Sequence, residues 1–365
     1  MKMKNTIMML VSVLTVMAFW SCSSNENIMS PSVGTTDDAI LFAASTDYTR
    51  GGDYTTNNLT TFNVYAYTQS SGSTDMKLFM DNVTVTKTGN NVWTYSPVEY
   101  WPASGTVNFY AFAPAEWIGT STPLNAISYD SYPGYTDVIY AVSGPLQGNS
   151  DMANAQVLMN FRHALAKVTA KLSSTNPELR VQVSNVIIYN VATRGNFHFP
   201  SGSTSDTASK DNIGIWSDQN TPLMYILYMA QQKNEVINLT TTPTDLSDFG
   251  NGMGGDRYMM PQELVWLNDG DLDDMYIGVM CSIYDVSTGE KLWPNANTPA
   301  EDVVPSSTFG DGILKFPLST SKIRDWQPGV HYTYNLIINS NDDMGQIEFG
   351  TPTVDTFLDV TAIYQ

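Results

Sequence analysis

The chain has 365 residues, a length that suits about two domains, and 42% of them are hydrophobic while only 15% are charged. Its net charge of −19 excludes nucleic acid and anionic membrane surfaces as partners, because both carry the same sign. Twenty Tyr, eight Trp and abundant Thr and Val favour strands over helices, and two cysteines, Cys22 and Cys281, are too few for a disulfide framework.

The N-terminus reads as an address. Lys2 and Lys4 precede an apolar run from Ile7 to Trp20, short of the ~20 residues that span a bilayer. The run ends at Ser21-Cys22 and is followed by polar residues, which resembles a bacterial lipoprotein signal with Cys22 as the lipidated residue; Trp20 departs from the small residue usual in that pattern. The alternatives are a plain secretory signal with a bystander thiol, or an uncleaved anchor. Residues 1–21 are then the signal peptide and 22–38 a tether, each buried CH₂ of the acyl chains contributing about 0.8 kcal/mol to membrane attachment.

From Ala39 to Gly52 comes a short predicted strand with Ile40, Phe42 and Ala44 on one side and Leu41 and Ala43 on the other, then a polar run ending in Arg50-Gly51-Gly52. Arg50 is the only basic residue between Lys4 and Lys77, and glycines after it let the backbone bend into a protease cleft. The stretch is either an ordinary first strand and turn, or a strand that a cut at Arg50 detaches as a unit.

Strand-like runs then alternate with turns: Phe62 to Tyr67, Val83 to Lys87, Val92 to Tyr95, Val107 to Ala113 and Val138 to Val142. Such spacing predicts a β-sandwich whose strands bury one face. Gly144-Pro145 through Gly148-Asn149 punctuate the chain, giving an N-terminal domain over 39–155 and a C-terminal domain over 156–365. Phe161 to Leu172 is read as one strand, since Lys167 and Lys171 fall on one face only at period two. Val181 to Val191, Leu223 to Ala230, Tyr258 to Met260, Tyr276 to Tyr284, Ile313 to Leu318 and Tyr332 to Ile338 follow as strands.

Residues that could carry chemistry are few. His163, His198 and His331 lie far apart in sequence with no zinc spacing, and no GxSxG elbow is present. The glycine-rich run from Gly250 to Gly255 lacks the Lys-Ser/Thr of a phosphate loop. Asp269, Asp271, Asp273 and Asp274 fail the calcium-loop pattern because Met280 stands where the bidentate Glu belongs, and the cluster reads as a solvated acidic turn. No catalytic residue, metal or cofactor is expected, and Cys281 reads as a small buried core residue.

Tyr100-Trp101-Pro102 with Val107 to Pro114, Asn160 to Val168, Met260-Pro261-Gln262, and Trp326 to Leu336 resemble, in this order, landmarks of the fimbrillin family, in its minor-fimbrillin-like branch of type V pilins. The resemblance implies an all-β chain of two tandem transthyretin-like β-sandwich domains, exported as a lipoprotein to the outer membrane surface. It also implies proteolysis between Arg50 and Gly51, loss of lipid and first strand together, and filling of the emptied groove by C-terminal strand material from another pilus subunit. His163 is then a packed or hydrogen-bonded structural residue.

In the tail, Val354, Leu358, Val360, Ala362 and Tyr364 share one face, as a donor strand requires; an ordinary last strand completing its own sheet shows the same alternation. The expected function is a non-catalytic pilus subunit or pilus-associated adhesin. The alternative is a stationary surface lipoprotein that binds glycans on exposed Trp and Tyr.

Overall fold

The computed structural model describes residues 39–46, 54–55, 58–89, 92–119, 121–148, 156–204, 212–249, 255–267, 273–339 and 353–356. The chain is all-β. In order, the strands are β1 (Leu41–Thr46), β2 (Thr61–Gln69), β3 (Met76–Gly89), β4 (Val92–Thr94), β5 (Thr106–Ala113), β6 (Ile127–Asp130), β7 (Ile139–Gln147), β8 (Gln156–His163), β9 (Ala166–Ser173) and β10 (Leu179–His198). There follow β11 (Ile215–Met229), β12 (Ile237–Asn238), β13 (Thr244–Asp245), β14 (Arg257–Met259), β15 (Tyr276–Asp285), β16 (Lys291–Trp293), β17 (Gly312–Pro317), β18 (Val330–Ile337) and β19 (Thr353–Thr356). Among the described residues no helix is long and apolar enough to cross a membrane.

The first sheet has the order β1-β8-β7-β5-β2-β3-β4. β7 and β8 pair only at Ile139↔His163 and Tyr140↔Arg162. Beyond that corner β8 leaves the plane, and the parallel β1–β8 ribbon closes over the face of the other five strands. Between these layers lies a core of Phe62, Val64, Val107, Phe109, Ala111, Val157, Met159 and Phe161.

The second half is a sandwich of β11-β10-β15-β16, with β6, β12 and β17 attached, against β13-β9-β18-β19 with β14. Its core includes Val168, Ala170, Leu172, Val186, Ile188, Val279, Leu314, Phe316 and Leu336. A third, largely aromatic cluster joins the halves: Tyr65, Tyr67, Tyr110, Phe112 and Tyr140 meet Phe197, Trp216, Tyr258 and Met260. β2 and β5 are thus buried on both faces, with Phe62, Phe109 and the aliphatic residues inward and Tyr65, Tyr67, Tyr110 and Phe112 turned to the other half. That explains runs such as FNVYAY and VNFYAFA, which are too apolar for strands with one face in water.

Two expectations change. The single strand expected over Phe161 to Leu172 is two, β8 and β9, because the Ala164 N–H donates to Val138 O (2.8 Å) and the Leu165 carbonyl accepts from Gly329 N–H (2.9 Å) as the chain steps between sheets. β8 pairs with β1 at six positions and with β7 at two, and β9 belongs to another sheet, so the chain passes from one sheet to the next at Ala164-Leu165. In the acidic run, Asp269 and Asp271 lie outside the described residues, while Asp274 is buried and accepts from Leu267 N–H at 2.6 Å, so that position is not a solvated turn. The period-two reading of β9 places Lys167 and Lys171 together, and each meets an acid: Lys167 Nζ lies 2.9 Å from Asp256 and Lys171 Nζ 2.9 Å from Asp245.

Candidate functional site

The first strand is built as the alternation of its residues requires. Ile40 and Phe42 are 0% and 1% exposed, whereas Leu41 between them is 39% exposed. Burying those two side chains contributes roughly 1.5–3 kcal/mol each. The Phe42 ring packs edge-on against Phe62 (6.2 Å between centroids), Tyr95 (5.3 Å) and Phe109 (5.8 Å), so a residue of the outermost strand lies at the centre of the first core.

Backbone bonds fix β1 along its length. It runs parallel to β8 from Leu41↔Gln156 to Thr46↔Phe161. At its start the Ile40 N–H donates to Glu99 O (3.0 Å), Ala39 bridges Tyr100, and the Tyr95 hydroxyl donates to Ile40 O (2.9 Å). Burial pushes the Tyr95 phenol up to about 12, partly offset by its bond to Glu99, so it remains a neutral donor at physiological pH. Trp101, buried, rests on Phe109. Residues 99–101 thus form the clasp on the side of β1 away from β8.

Residues 47–53, which include Arg50 and Gly51, lie outside the described residues. The chain is anchored again at Tyr54, whose N–H donates to Asp137 Oδ2 at 2.8 Å. The other oxygen of Asp137 lies 3.0 Å from His163 Nδ1, and both residues are buried. His163 is therefore a hydrogen-bonded structural residue. Its partner Asp137 escaped sequence reasoning; the only cue was an acid directly before the apolar strand start Val138-Ile139. In the sequence Arg50 falls between Thr46, which ends β1, and Tyr54, which bonds Asp137.

Between residues 156 and 161, the described ladder of β8 is its pairing with β1. On its other side Thr204 fills the space left as β7 diverges. Its N–H donates to Val142 O (2.8 Å), and its hydroxyl donates to Asn160 O (2.8 Å) and accepts from Val142 N–H (2.9 Å).

The remaining named positions fall as follows. Cys22, Leu358, Val360, Ala362 and Tyr364 lie outside the described residues. Val354 belongs to β19, which pairs antiparallel with β18 and sets Val354 opposite Tyr332. Cys281 is fully buried, and burial, with Asp311 nearby, pushes its thiol well above the usual range. His198 lies 3.1 Å from Ser217 Oγ, on the outer face of β10, apart from the His163–Asp137 pair. Among the described residues no group of three or more His, Cys, Asp or Glu could hold a metal ion.

The later landmark motifs also serve packing. Gln262 fills a backbone gap at β10, its Oε1 accepting from Ala192 N–H (2.8 Å) and its Nε2 donating to Ala192 O (3.1 Å). The Trp326 indole donates to the Tyr334 hydroxyl (3.0 Å), which donates to Leu318 O (3.1 Å).

The family model described as "Fimbrillin-like" matches residues 48–251, more than half of the chain. No curated protein matches it. Solved structures similar to it include a candidate cell adhesion protein from Bacteroides uniformis ATCC 8492 (13% identity, TM-score 0.48, 88% of this chain and 100% of that one). Two others are from Porphyromonas gingivalis: the tip fimbrial protein Mfa3 (10%, 0.40, 87% and 99%) and the fimbrial anchor protein Mfa2 (9%, 0.31, 88% and 98%).

Proposed function

The chain belongs to the fimbrillin-like family, and from that premise we propose that it is a non-catalytic cell-surface subunit of a type V pilus or a pilus-associated adhesin whose first strand is a removable filler. It is exported as a lipoprotein acylated at Cys22 and held at the outer membrane. Cleavage between Arg50 and Gly51 releases lipid, tether and β1 together. The strand β8 and the core under Phe42 then accept a strand from another subunit, and Val354, Leu358, Val360, Ala362 and Tyr364 supply the apolar face of such a donor.

The observation that carries this reading is the full burial of Ile40 and Phe42 on a strand at the sheet's margin. Taking that strand away leaves an apolar trough beside an unpaired edge, which is a template for another chain. Four or five apolar side chains re-buried at roughly 1.5–3 kcal/mol each suffice to hold a joint. A domain division at Ala164-Leu165 suits this scheme, because it keeps β8 with the strand it loses.

N-terminal sequencing of material sheared from the cell surface tests the proposal. A start at Gly51 in polymeric material is the expected result. Polymer that still carries lipid on Cys22 and residues 39–46 would overturn the strand-removal step.

A further inference from the structure

A cavity of about 410 Å³ opens where the start of β11 meets the segments 261–263 and 324–328. Its volume falls within the range of sites for small ligands. It contains no residue of β1 or β8, so the assembly scheme leaves it without a role.

Part of the lining is apolar. Gly214 is held against the aromatic cluster, its N–H donating to the Tyr140 hydroxyl at 2.6 Å, and a side chain there would come within 2.2 Å of the Phe197 ring. The flanking Ile213 and Ile215 are left 40% and 65% exposed, and they line the cavity together with Pro261 and Pro328.

The rest of the lining carries charge. Glu263 stands opposite Asp325 in an antiparallel bridge, flanked by the bonds Leu264 N–H to Arg324 O (2.9 Å) and Trp326 N–H to Gln262 O (2.8 Å). Because those bonds lie outside the pair, it is of the non-hydrogen-bonded kind, in which facing side chains come closest. Two carboxylates so placed repel each other, and a cationic group between them removes the repulsion. The Asp325 carboxylate accepts from Gln327 Nε2, whereas among the described residues the side chains of Glu263 and Arg324 have no hydrogen-bond or ion-pair partner. The cavity therefore offers an acid pair, a guanidinium and an apolar wall at once.

Its frame is set before any ligand arrives. Gln219 Nε2 donates to Pro261 O at 3.1 Å, and the Trp216 indole donates to Ala164 O at 2.6 Å. Little ordering is left to lose on binding.

This combination selects among ligand classes. A sugar would find no ring to lie on, since Trp216 and Trp326, the aromatic residues of the lining, are 8% and 1% exposed. A phosphate would meet Glu263 and Asp325 on a chain of net charge −19, and a fatty chain would bury three charged groups without partners. A molecule with an ammonium, a carboxylate and an apolar side chain answers every feature of the lining.

We propose that this cavity binds a short peptide with free ends and an apolar side chain. The α-ammonium sits between Glu263 and Asp325, the carboxylate meets Arg324, and the side chain lies on Ile213 and Ile215. The site stands whether or not the first strand is removed.

The test is titration calorimetry of the purified chain with leucyl-leucine and alanyl-leucine, with the same dipeptides N-acetylated and C-amidated, and with maltotriose, octanoate and ATP. Saturable binding of the free-ended dipeptides is expected, weakened about tenfold or more when both ends are blocked. It should weaken by a similar factor in Arg324→Gln and, separately, in Glu263→Gln/Asp325→Asn, with Lys77→Gln on β3 as the control. Thermal midpoints measured on each variant separate lost contact from lost folding. Absence of binding to both free dipeptides, equal binding of the end-blocked forms, binding that survives both variants, or binding only to the sugar, the fatty acid or the nucleotide would overturn the proposal.

Discussion

Phe42 is one side chain on an outermost strand, yet it touches Phe62, Tyr95 and Phe109 at once. Phe42→Ala is therefore expected to destabilise the unprocessed chain by about 3–5 kcal/mol in urea unfolding, whereas Leu41→Ala, on the exposed side of the same strand, should change stability by less than about 0.5 kcal/mol. Equal effects would show that β1 is not seated as described. Asp137 is the second residue on which the site turns. Asp137→Ala removes the acceptor shared by Tyr54 N–H and His163 and should cost about 1–3 kcal/mol, with faster proteolysis between residues 46 and 54. Cys281 gives a check of burial: with its thiol pushed up and fully enclosed, it should resist a thiol reagent in the native chain at pH 8 and react once the chain is unfolded. Of these residues, Phe42 and Cys281 were legible in the sequence from their apolar neighbours. His163 was legible as structural, but its pairing with Asp137 was not, because 26 residues separate them and only the fold brings them together.

At the scale of elements, alternation located most strands and the correct face of β1, since Ile40 and Phe42 are buried while Leu41 is exposed. It did not reveal that β8 and β9 are distinct strands. The pattern from Phe161 to Leu172 continues without a break across Ala164-Leu165, and the break comes with hydrogen bonds from Ala164 N–H to Val138 O and from Gly329 N–H to Leu165 O, partners far away in sequence. Short strands such as β6 and β12 were also missed, because two to four residues cannot establish a period and their existence depends on β10 beside them. The central role of β1 leads to a prediction about its loop. Arg50→Gln should leave the chain uncleaved and lipid-bound with an unchanged thermal midpoint, measured by N-terminal sequencing and calorimetry. Normal cleavage in that variant would move the processing site elsewhere.

At the scale of the molecule, the two halves share more than a covalent link. β6 comes from the first half and pairs with β10 of the second, Thr204 from the second half fills the gap between β7 and β8, and the aromatic cluster draws on both. Calorimetry of the unprocessed chain should accordingly show one cooperative transition; two well-separated transitions would mean that the shared cluster contributes little. This coupling was invisible to a reading of strands one at a time. The abundance of Tyr on the outer faces of β2 and β5 was present in the sequence, but only the topology shows that the second half covers those faces.

The most direct measurement is hydrogen exchange at those β8 amides between Val157 and Phe161 that face β1, in the chain cut after Arg50 and freed of β1, with and without a synthetic peptide of residues 353–365. Loss of β1 should open these amides to exchange, and the peptide should bind and protect them again. Amides that stay protected without β1, or a peptide that leaves them open, would contradict the assignment of the first strand as a removable filler.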